Sequence, residues 1–294
     1  MKLAIATAVS AIALAAAASP ALARDPEVEI RSAVARVAVI IEDRSDVAVE
    51  VEQGASRLPP IRVTRTGDDI RVDGGLRRNR TFGNDGIRNC HTGNDSGLPG
   101  QGAWVEVRDL GRVNLSDAPL IVIRAPRDVN VAASGAIFGS VGRGARSLDL
   151  GHAGCGRWDV ANVDGKVSLE IGGSGDIRTG TSGALEISIA GSGSVMAGAT
   201  RNAEVNIGGS GDVIVSRVDG PIEVNIGGSG DVDVRGGNSP NVEVNIAGSG
   251  DVNFRGVARD VDVSIAGGGD VRIARATGSV SRAIMGGGEV HIGN

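Results

Sequence analysis

The five residues Gly-Gly-Ser-Gly-Asp occur at Gly172–Asp176, Gly208–Asp212 and Gly227–Asp231, with close variants at Ala190–Ser194, Ala247–Asp251, Ala266–Asp270 and Met285–Glu289. Three chemistries use such a segment. Carboxylates repeated beside glycine corners could cage calcium, with Asp212, Asp231, Asp251 and Asp270 as candidate ligands. However, calcium-binding β-rolls repeat G-G-x-G-x-D, with the acid one residue later and with two facing corners per coil. Calcium also needs six or more converging oxygens. A phosphate cradle needs one corner opening a helix N-terminus; a corner recurring between apolar segments does not meet that requirement. In the third reading the segment is a tight corner whose aspartate accepts backbone N–H groups, as in Asx turns. The recurrence favours the corner, with calcium as the alternative.

A second constellation lies ahead of each corner. Glu186, Glu204, Glu223, Glu243 and Asp262 recur in step, accompanied by Ser188, Asn206, Asn225, Asn245 and Ser264. This is the candidate binding face, an acidic and hydrogen-bonding surface for a partner. The same residues would also form solubilising ladders on any stacked β structure. His91, His152 and His291 are scattered and have no nucleophile context of a triad kind, so no catalytic residue and no cofactor motif is assigned. Cys90 and Cys155 are read as a disulfide pair in an exported chain. A Cys/His zinc site using the neighbouring His91 and His152 lacks the paired CxxC spacing that marks such sites.

The elements that must hold these residues follow from a repeat. Apolar anchors recur at Val131, Leu150, Ile171, Ile189, Ile207, Ile226, Ile246, Ile265 and Ile284, at intervals of 18 to 21 residues. Within a unit the alternation has period two. Val242, Val244 and Ile246 alternate with Glu243 and Asn245, and Val252 and Phe254 flank Asn253. Such strands are buried on one face only, and stacking the units is what buries them. The predicted fold is all-β, a parallel β-solenoid of about nine coils over 125–294. At roughly 4.8 Å per coil the stack is about 40 Å long.

Residues 24–124 read as a β-rich N-terminal region that caps the open edge of the stack. Strands are predicted at Val37–Ile41, Val47–Val51, Ile61–Thr64, Ile70–Val72, Trp104–Val107 and Leu120–Ile123. Residues 74–102, rich in Gly, Asn, Arg and Asp, read as an exposed or disordered loop that carries Cys90.

Before this, Lys2, the apolar run Leu3–Ala18 and Ala21-Leu22-Ala23 have the pattern of a signal peptide cleaved after Ala23. The expected location is therefore periplasmic or secreted, with no membrane span once the signal is removed. The formal charge is −5, or −6 without Lys2, which gives no basic face for nucleic acid. Tyrosine is absent, and two Trp and three Phe make up the aromatic inventory, which is poor material for a sugar-stacking cleft.

The run Pro119–Pro126 (PLIVIRAP), followed by repeated V-x-V-x-I-[GA]-G-S-G-D-V units, resembles the family described as "putative auto-transporter adhesin, head GIN domain" (DUF2807) over about residues 35–290. The resemblance implies an exported bacterial β-solenoid with an adhesive role and no catalytic residues to carry over. The expectation is thus a non-enzymatic solenoid that binds a cell-envelope or surface protein or glycan, with oligomers possible through the solenoid ends. A polysaccharide-processing β-helix enzyme and a calcium-stabilised structural module are the rivals.

Overall fold

The computed structural model describes residues 27–76, 86–93 and 100–293. The described residues contain strands and no helix, and most strands belong to one parallel stack. The regular coils are built as the alternation demands. Strand Ala203–Ile207 pairs in parallel with Ile222–Ile226, and that strand pairs with Asn238–Ile246, like residue over like. After the corner, Val213–Val218 pairs with Val232–Val234, which pairs with Val252–Gly267. Each coil contributes inward Val and Ile from two short strands, and the columns Val205–Val224–Val244–Val263 and Ile207–Ile226–Ile246–Ile265 are buried. The nine coils between Asp128 and Ile292 form the β-solenoid.

The register corrects two anchors. Val131 pairs with Leu150 and Leu150 with Leu169, whereas Ile171 pairs with His152, which pairs with Ala133. Val131 and Leu150 therefore belong to the neighbouring inward column, and the coil spacing from Ala133 onward is steadier than the anchors implied. Inward positions recur every two residues, so an apolar pattern alone cannot distinguish one inward column from the next.

The N-terminal region extends the stack as well as closing it. Strand Glu27–Ile41 forms a full coil in parallel register with Asp128–Val141. On its other side it pairs with Asp69–Asp73 and Leu120–Ala125, which together make one more layer. Only then do antiparallel strands cover the edge, Ala48–Glu52 along Leu120–Ala125 and Arg62–Thr66 along Asp69–Asp73. The charges on Glu50, Glu52, Arg62 and Arg65 discourage further pairing there. At the opposite end, Val280–Gly286 is exposed along its length, and Arg282 takes the place of Val263 in an otherwise apolar column. An inward-pointing charge on an edge strand is a known guard against end-to-end aggregation.

Within 74–102, strand Ile87–His91 joins Trp104–Val107 and Gly111–Asn114 in a three-stranded antiparallel sheet, so the loop reading is corrected for those residues. The sequence Ile-Arg-Asn-Cys-His has almost no apolar alternation, because one small face is all it buries. That face packs on Val34, Ala136 and Phe138, side chains that point away from the solenoid interior, and a disulfide joins Cys90 to Cys155.

The solenoid core is interrupted by large side chains in the early coils. Trp158 is fully buried, and it fits because its register partner is Gly139, where a Cβ would sit 2.3 Å from the indole.

Candidate binding face

The corner glycines are not equivalent. A Cβ on Gly209 would lie 2.0 Å from the Gly191 carbonyl oxygen, and one on Gly211 would lie 2.2 Å from that of Gly193. At these two positions the preceding coil's backbone leaves room only for hydrogen. Gly208 differs, because a Cβ there would meet nothing nearer than the Ile189 carbonyl oxygen at 3.9 Å.

The corner aspartates complete the backbone ladder. The Asp231 N–H donates to Oδ1 of Asp212 at 3.1 Å, Asp251 to Asp231 at 2.8 Å, Asp270 to Asp251 at 2.8 Å, and Glu289 to Asp270 at 3.0 Å. Each carboxylate stands in for a carbonyl that the bend has turned away. The next N–H in each coil returns to backbone, as with Val213 donating to the Asp231 carbonyl at 2.8 Å. Arg272 offsets some of the stacked negative charge, 3.0 Å from Asp270 and 4.0 Å from Asp251. Among the described residues, no group of three or more His, Cys, Asp or Glu side chains could hold a metal ion.

The second constellation is brought together as one face. Glu186, Glu204, Glu223, Glu243 and Asp262 align in consecutive register, and Lys166 pairs with Glu186 at the start of the column. That contact raises the Lys166 pKa, and burial raises the Asp149 carboxyl in the same stretch. Beside the acids, Asn225 donates through Nδ2 to Asn206 Oδ1 at 3.0 Å and to Glu223 at 3.1 Å. Asn245 donates likewise to Asn225 at 3.1 Å and to Glu243 at 3.5 Å.

On the far side of the asparagines runs a groove of about 1030 Å³, parallel to the stack from Glu170 to Met285. Its floor is the column Gly172, Ala190, Gly208, Gly227, Ala247 and Ala266. A smaller hollow of about 440 Å³ continues it past Glu170 to Glu29 and Arg31. Sequence reasoning missed the groove, because the first glycine of each corner looks like the two that the backbone requires.

It also missed the outer face of the small sheet. There Trp104 stacks on His91 with ring centroids 5.5 Å apart, and Arg112 lies 4.5 Å over its ring.

The histidines are not brought together. His152 is buried in the column of Ile171, where desolvation pushes its pKa down to about 4. His291 lies 2.9 Å from Glu289 in the last coil.

A strand-only stack of near-uniform coils with repeated surface columns is a β-solenoid repeat protein. The family model described as "putative auto-transporter adhesin, head GIN domain" matches residues 103–238 and 222–294, and the chain belongs to that family. Curated proteins give no match. A crystal structure of a protein from Parabacteroides distasonis ATCC 8503, described as a putative lipid binding protein, is 18% identical with a TM-score of 0.49, covering 92% of this chain and 93% of that one.

Proposed function

We propose that the chain is an exported, non-enzymatic binding module that offers its Glu/Asn face to a component of the cell envelope or surface, a protein or glycan. The observation that supports this reading most is the continuity of that face. The same outward columns repeat coil after coil from Glu186 to Asp262, and the register keeps their spacing constant. A rigid ladder of this kind suits an elongated partner, since no loop need be ordered on contact. The family's adhesive description agrees with it. Export is supported by the signal pattern at residues 1–23, which lie outside the described residues, and by a disulfide, the usual mark of an oxidising compartment. No helix among the described residues is long and apolar enough to cross a membrane.

The test replaces Glu204, Glu223 and Glu243 together by glutamine and measures retention of the purified protein on isolated envelope fractions. Retention is expected to fall at least tenfold while the melting temperature stays within about 2 °C. Equal retention, or turnover of an acidic polysaccharide by the wild-type protein, would overturn the reading. A calcium-dependent rise in melting temperature would instead favour the calcium-stabilised module.

A further inference from the structure

The groove floor is smaller than the fold requires. Gly208 and Gly227 have no left-handed φ, and a Cβ at either would meet nothing nearer than 3.8 Å. Ala190, Ala247 and Ala266 hold the same column in neighbouring coils, and in the last coil the column admits Met285, paired with Ala266 and 80% exposed. The backbone therefore tolerates long side chains there, yet six successive coils carry only Gly or Ala. The contrast with Gly209 and Gly211, one and three residues further along the same corner, separates a steric necessity from an open trough. From Gly172 to Met285 the trough spans six coil steps, about 29 Å at the usual strand spacing.

The walls limit what can lie in it. Both Nδ2 donors of Asn225 and of Asn245 are already committed to the neighbouring Asn and Glu. Ser188, Ser264 and the asparagine oxygens border the trough along one side only. A sugar chain or a peptide laid in it would leave the hydroxyls or amides that face the Gly/Ala floor without partners, and that is costly. A hydrocarbon chain has no such groups, and the trough's exposed surface is mostly carbon. The acidic column Glu186 to Asp262 runs alongside, opposed by Lys166 at one end. That charge disfavours an anionic head group, and it disfavours a second copy of the same acidic face.

We infer that the groove takes the straight alkyl chain of an amphiphile whose head group is not anionic. The inference rests on the reading of this side of the solenoid as the binding face, with the glutamates free to engage a separate partner region. Gly208 and Gly227 set the depth of the trough and are its specificity-determining residues.

Titration calorimetry of the full chain with hexadecylphosphocholine below its micellar concentration tests this. Saturable binding with one chain per protein is expected, with affinity falling about two- to fourfold for each methylene removed. Phosphocholine alone should not bind, and hexadecanoate should bind at least tenfold more weakly. Gly208→Leu with Gly227→Leu should weaken hexadecylphosphocholine at least tenfold without lowering the melting temperature. Ser210→Leu, on the neighbouring exposed corner column, should leave binding unchanged. Absence of saturable binding, multiple chains per protein, or equal binding by the glycine double variant would overturn the inference. Absence of alkyl binding by the wild-type chain, with its envelope retention intact, would sink this inference alone. Loss of retention in the glutamine triple variant with alkyl binding intact leaves both standing.

Discussion

The coils from Lys166 onward and those before it solve the same packing problem in opposite ways. In the later coils the inward positions are mostly Val and Ile in recurring columns, with Leu185, Ala197, Ala203 and Phe254 among the departures, and the outward ones include Glu, Asn, Ser and Asp in ladders. Most contacts there are made again one coil on, and Phe254 is the one large aromatic side chain buried among them. In the earlier coils the columns break up. The Ile column becomes His152 and Ala133, and the Asp column becomes Arg157 and Phe138 as one moves back through the register. Trp158 fills the interior, and Phe138 turns outward under the clamped small sheet. Repetition gives the later coils a single continuous face, whereas the earlier coils depend on individual large side chains and a covalent tie. The difference teaches that regularity and individuality locate different vulnerabilities in one stack.

That contrast can be broken most directly at Trp158. Replacing it by Ala is expected to cost about 3–5 kcal/mol in urea unfolding, far more than Val224→Ala in the repetitive core. Comparable losses at both positions would erase the distinction.

Within the regular coils, Gly209→Ala should destabilise by about 3 kcal/mol, since its Cβ meets backbone. Gly208→Ala should change stability by less than about 0.5 kcal/mol in the same assay.

His152 makes the early coils sensitive to pH. Its folded pKa of about 4 lies below the ordinary 6.5, so protons bind the unfolded chain preferentially. Stability is therefore full above about pH 6.5 and declines as the pH falls towards 4, by up to about 3 kcal/mol. Denaturation midpoints across that range should show this slope, and His152→Leu should flatten it.

Cys90→Ser should cost about 2 kcal/mol. Faster amide exchange should then be confined to the small sheet and its neighbours, with the later coils unchanged.

Asp231→Ala, which leaves the Asp251 N–H without its acceptor, should cost about 1 kcal/mol. Asp231→Asn, which keeps an oxygen there, should cost less. Equal losses would show that the carboxylate's charge, not its position as an acceptor, is what the corner uses.

Much of the fold was legible in the residues. The strict alternation of Val242-Glu243-Val244-Asn245-Ile246 and its recurrence every 18 to 21 residues admit few arrangements besides stacked coils. The candidate face was legible for the same reason, because register carries a repeated outward residue into a column. The strand Ile87–His91 was not, since its small buried face leaves no periodic mark. The insertion of Glu27–Ile41 between layers built from later residues was not legible either. Pairing order in a sheet is a choice among edges, and alternation does not encode it.

By itself the sequence determined the coil, the inward and outward sense of each residue in it, and the ladders that follow. Tertiary structure decided which layers are neighbours and which inward column an early residue joins. It also decided which glycines are steric necessities. Gly208 and Gly209 are the same letter in the same motif, and only the distance to the preceding coil's backbone, 3.9 Å against 2.0 Å, separates the floor of a groove from a corner that cannot be changed.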